Sequence, residues 1–231
     1  MKPLQNIKLT VIDSFGDLNS FANEIPFIDD GLIVSMIDSL KSDYKQNADR
    51  LKDLERFDDD NEYRQQKSEL YNSQMQIRSE LAYLFSHNPE KIDDALGLME
   101  HSKNSFAICL QAMKHYTQGN NDQSMDAFLH YMNTVNSVPN HYLACKMLGS
   151  LLMDKSEFQY AIHILRVASE KRPEDIEVHE KLMECYRAEG MTFELDIASS
   201  AVQLLTSTNL GSFAPEDVSP LGIQTTGKGW S

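Results

Sequence analysis

The sequence predicts an all-α chain: stacked helical hairpins, preceded by a long helical hairpin and followed by a flexible C-terminal tail. Three observations carry this expectation. Segments around residues 126–139 and 160–173 match at a spacing of 34 residues. Apolar residues between Ile33 and Leu54 recur at alternating steps of four and three, the period of a helix face. Hydrophobic residues make up 41% of the 231, which indicates a folded chain, whereas the stretch after Thr208 is punctuated by Gly and Pro.

The repeat is the firmest feature. Ala127 and Ala161, Tyr131 and Leu165, Thr134 and Ala168, and Pro139 and Pro173 each lie 34 residues apart. A small residue admits a neighbouring helix, a bulky one fills the gap, and proline ends the element. Downstream, Leu148, Leu152 and Ser156 recur as Leu182, Tyr186 and Gly190. A period of about 34 residues built of paired helices is the tetratricopeptide signature. On Leu148–Gly149, Leu152, Ala161, Leu165, Ala168, Pro173, Leu182, Tyr186 and Gly190 the chain resembles that family. The resemblance implies a right-handed α-solenoid of such hairpins. Departures gather in the last unit, where Met183, Ser199 and Ser207 replace the expected small, large and proline residues, so it reads as a degenerate cap.

In chain order, residues 1–30 form an N-terminal arm. Ile7–Ile12 alternates like a strand, but a lone strand has unsatisfied edges, so an extended arm packed on helices is the equal alternative. Residues 31–73 form a coiled-coil-like segment. Ile33, Ile37, Leu40, Tyr44, Leu51 and Leu54 make its seam, with Asn47 in the polar slot. After Asp58–Asp60, a second helix from Glu62 to Ser86 carries Leu70, Ile77, Leu81 and Leu84. Folded against each other, the two make an antiparallel hairpin. The alternative is a homodimer joined through Ile33, Ile37, Leu40 and Tyr44. Residues 74–207 form the repeat array: a divergent first unit at 74–102, then 105–139, 141–173 and 176–206. Residues 208–231 are the flexible tail. Its Trp230 is the only tryptophan, either a docking residue or a chance one.

No catalytic constellation is present in the sequence, and the chain reads as non-enzymatic with no cofactor and no metal. His179–Glu180 begins like a zinc-protease helix, but Met183 stands where the second histidine belongs. His141 and Cys145 have i, i+4 spacing but lack further ligands. Cys109, Cys145 and Cys185 are odd in number and lie in helical patterns, so they read as buried thiols in a reducing compartment. With no secretion signal and no bilayer-length apolar run, the expected location is cytoplasmic. The net charge of −14 argues against nucleic acid and anionic membrane as partners.

In tetratricopeptide arrays the first helix of each pair lines a concave groove. The resemblance therefore implies Phe106, Cys109, Met113 and Tyr116 in the second unit, Leu143, Lys146, Ser150 and Met153 in the third, and Glu177, Glu180 and Glu184 in the fourth. Such a groove is apolar at one end and acidic at the other, fitting a peptide or helix with apolar anchors and basic flanks. The competing reading makes the apolar members core, covered by the N-terminal helices. Lys146 alone does not make the cationic clamp with which some members hold a chaperone's terminal carboxylate, and three glutamates beside it would repel one. The expected function is an adaptor or assembly factor that binds protein. A bacterial secretion chaperone and a regulatory subunit of a larger machine are the alternatives.

Overall fold

The computed structural model describes residues 8–12, 21, 30–54, 61–100 and 104–210. Helix α1 (Asp30–Leu54) and helix α2 (Asn61–Phe85) pack on each other as a long hairpin. Asn47, the polar slot of the seam, donates from Nδ2 to Ser73 Oγ at 3.0 Å and pins the register between them. Burial along this hairpin is uneven. In α1 only Ile33 and Leu51 are buried, while Ile37, Leu40 and Tyr44 are half-buried. In α2 burial is concentrated at the C-terminal end, from Ile77 to Leu84, where the helix enters the array.

A 3₁₀ turn (Pro89–Lys91) starts where Asn88 accepts a hydrogen bond from the Glu90 amide, and it leads into the short α3 (Ile92–Leu98). Then follow α4 (Phe106–Thr117), α5 (Asn121–Val135), α6 (Tyr142–Asp154), α7 (Phe158–Lys171), α8 (Ile176–Ala188) and α9 (Thr192–Leu210). The pairs α4/α5, α6/α7 and α8/α9 pack as hairpins, and each joins the next through α4/α6, α7/α8 and α6/α8. Neighbour touches neighbour, as in a solenoid. The turns inside the three pairs share one device, a left-handed residue at Gly119 (φ 75°), Ser156 (φ 58°) and Gly190 (φ 69°). Glycine takes this conformation freely and serine does not.

One apolar cluster runs from Ile33 to Ala198, and its largest fully buried members include Tyr83, Tyr131, Phe106 and Phe128. The small residues of the repeat do what their spacing predicts. A Cβ placed on Gly149 of α6 would stand 2.5 Å from Leu165 Cδ2 of α7, so only glycine permits this approach.

The N-terminal segment has a strand partner that sequence could not show. β1 (Lys8–Ile12) runs parallel to β2 (Ser137–Val138), a two-residue strand in the link between α5 and α6. The expected arm at 1–30 and tail at 208–231 otherwise lie largely outside the described residues, as does the Asp58–Asp60 turn.

Candidate interaction surface

The structure divides the predicted groove residues into three groups. Phe106, Cys109 and Met113 are fully buried and Leu143 nearly so. The apolar end of the groove is thus corrected to core. The reason is the C-terminal end of α2: the Tyr83 ring lies 5.8 Å from Phe106 and covers the start of α4. Tyr116, Lys146, Ser150 and Met153 are half-buried, while Glu177, Glu180 and Glu184 are exposed. The two halves of the sequence prediction therefore do not form one continuous trough of accessible side chains.

Lys146 is built into the protein. Its Nζ lies 2.7 Å from Asp175 Oδ2 and 2.7 Å from Glu177 Oε2. Asp175 precedes α8 and caps it, its Oδ1 accepting from the amides of Glu177 at 3.0 Å and Val178 at 3.4 Å. That is the favoured N-cap role, with the helix dipole adding to it. Tyr142 donates its hydroxyl to the same carboxylate. Burial pushes the Tyr142 phenol up to about 12, and the bond to Asp175 adds to this. Burial alone would lower the Lys146 pKa, but the hydrogen bonds to Asp175 and Glu177 outweigh it and hold the ammonium charged. Burial would likewise raise Asp175, yet Lys146 and Tyr142 keep it ionised below the usual carboxylate range. Glu177 is held low chiefly by its bond from Lys146. The Arg172 guanidinium stacks 5.1 Å from the Tyr142 ring and pairs with Glu174 and Asp30, tying the start of α1 to this corner.

Among the described residues no ion pair reaches Glu180 or Glu184, four residues apart on the exposed side of α8. Because α6 and α8 each turn back through α7, they run in the same direction. Starting from the Lys146–Glu177 contact, Ser150 and Met153 follow on α6 as Glu180 and Glu184 follow on α8. The surface that remains is the acidic ridge of Glu180 and Glu184 on α8, with Met153 half-buried on α6.

A second cluster, which the sequence reading missed, joins the hairpin to the array. Tyr83 donates its hydroxyl to the Asn140 carbonyl at 3.2 Å. His141 caps α6, its Nδ1 accepting from the Ala144 amide, so Nε2 carries the proton and donates to Ser86 Oγ at 2.8 Å. Ser86 Oγ and His87 Nδ1 both donate to the Tyr83 carbonyl. The two imidazoles lie 4.1 Å apart, centroid to centroid. Burial pushes His87 down to about 4 and His141 well below its ordinary value. Cys145 Sγ donates to the Pro139 carbonyl, so the sequence pair His141–Cys145 is committed to capping and packing. Spacing gave one signal, the i, i+4 pair Tyr83–His87. The N-cap at Asp175, two residues after Pro173, carries its own sequence signal, an Asp opening a helix just past a proline.

No protein-family model and no curated protein matches the chain. Solved structures of MamA align loosely. MamA of MSR-1 is 15% identical, over 75% of this chain and 93% of that one, with a TM-score of 0.38. MamA of AMB-1 is 13% identical, over 76% and 96%, with a TM-score of 0.37. At such values the array rests on this chain's own helix pairs and 34-residue period. Among the described residues no helix is long and apolar enough to cross a membrane.

Proposed function

We propose that the protein is a non-enzymatic interaction module that holds a polypeptide along α6 and α8. Basic side chains of the partner sit on Glu180 and Glu184, and an apolar residue seats against Met153. The observation that carries this reading is the exposure of two unpaired carboxylates on a helix whose position is fixed by the Lys146–Asp175–Glu177 cluster. A preordered charged surface loses less entropy on binding than a mobile one. A basic partner also matches the net charge of −14, which speeds encounter. Cys145 and Cys185 offer no nucleophile: burial pushes Cys145 up to about 12 and Cys185 up to about 11, so both stay protonated near neutral pH.

The partner is a short segment with Lys or Arg flanking an apolar residue. Glu180→Lys with Glu184→Lys leaves the ion-pair cluster intact, so the fold is expected to be unchanged by circular dichroism. Titration of a lysine-flanked amphipathic peptide should then lose at least tenfold in affinity, and the wild-type affinity should fall with salt. Equal affinity in the double variant would remove this surface from consideration.

A further inference from the structure

The last helix of the array presents an apolar stripe to solvent. Phe193 is 72% exposed, Ile197 56% and Leu204 66%, the most exposed large apolar side chains described on α9. At about 100° per residue they fall within roughly 40° of one another, with Ala201 beside them. The opposite side of α9 is used internally: Ala198 is buried and Leu195 packs on the core. In a solenoid each outer face is covered by the following pair, and a terminal helix is expected to be polar there. This one is not.

We propose that residues 211–231 fold back along α9 and cover Phe193, Ile197 and Leu204. This goes beyond the peptide surface on α6 and α8 and does not depend on it. The segment begins where the helix ends and carries Phe213, Val218, Leu221, Ile223 and Trp230. Its 21 residues reach up to about 70 Å when extended, whereas the stripe from Leu204 back to Phe193 is about 17 Å long. Pro215 and Pro220 keep the segment from continuing the helix and favour extended geometry at their predecessors.

The spacing fits a reversed run. Leu221 and Ile223, two residues apart, share one face of an extended run. Leu221 to Ile223 covers about 7 Å, against about 6 Å from Ile197 to Phe193. A second copy is the weaker occupant, because three side chains offer a few hundred Å², about half of the ~800 Å² that each partner gives to a standard interface. Tethering also presents the segment at an effective concentration on the order of millimolar, ahead of any dilute competitor.

Disulfide trapping in the full chain tests this. The native Cys109, Cys145 and Cys185 are free but buried, so they do not compete with introduced surface thiols. Ile197→Cys paired with Leu221→Cys should close within the monomer under mild oxidation. Closure should be at least fivefold faster than for Gln203→Cys with Leu221→Cys, whose helix position lies off the stripe. Equal rates for both pairs, or cross-links only between chains, would overturn the proposal. As a second readout, a chain ending at residue 210 should bind a hydrophobic dye several-fold more than the full chain. Phe193→Ser with Leu204→Ser should then return that signal to its starting level. Dye binding unchanged by the truncation would count against the fold-back.

Discussion

The long hairpin and the repeat array are made of similar residues, yet they bury them very differently. Helix α1 spans 25 residues and buries two, whereas the 13-residue α6 buries nine. A seam repeating every seven residues gives a helix one covered side. A 34-residue repeat gives it covered sides in its own pair and in the pairs before and after. The lesson is that apolar content sets what a helix can bury, while the number of packed neighbours sets what it does bury. The largest exposed apolar side chains lie accordingly at the two ends: Leu32, Val34, Tyr71 and Met75 on the hairpin, and Phe193, Ile197 and Leu204 on α9.

Four measurements sharpen or break this contrast. Phe106→Ala removes a fully buried ring from the array and should cost about 3–5 kcal/mol in urea unfolding. Unchanged stability would return Phe106 to an accessible groove. Acid should act at the joint between the regions. His87 and His141 are neutral in the fold and have depressed pKa values, so below about pH 6.5 the unfolded chain takes up protons that the folded chain refuses. Stability is complete above that value and falls as pH drops toward His87's value of about 4, by about 3 kcal/mol for that residue alone. A urea midpoint constant between pH 7 and 4.5 would show that the imidazoles are not held neutral. Gly149→Ala forces a methyl onto Leu165 and should cost about 1–3 kcal/mol by thermal unfolding. Val34→Ser, at a 59% exposed position of α1, should stay within about 0.5 kcal/mol of wild type in the same assay.

Legibility followed the same division. The array was readable because Ala127 and Ala161, Tyr131 and Leu165, and Pro139 and Pro173 leave a period that only stacked pairs explain. Asn47 was legible as the polar slot of the seam, although its bond to Ser73 required both helices to be placed. The apolar half of the groove was misplaced because an inward-facing residue in a repeat looks the same whether the groove is open or filled. What fills it, Tyr83 at the end of α2, lies 23 residues before Phe106, outside the unit at 105–139 that holds Phe106. Glu177, Glu180 and Glu184 are exposed, but the sequence could not show that Lys146 neutralises Glu177 and leaves Glu180 and Glu184 without an ion pair among the described residues. The histidine cluster joins positions 55 residues apart through a loop that carries no pattern.

The parallel pairing of Lys8–Ile12 with Ser137–Val138 has a consequence for the order in which the molecule is made. The first strand leaves the ribosome roughly 130 residues before its mate, a wait of about ten seconds at ordinary elongation rates. Throughout that interval its amides and carbonyls have no native ladder to join. This strand, translated well before its mate, is therefore among the last elements to be seated, and it closes onto a middle that must already have folded.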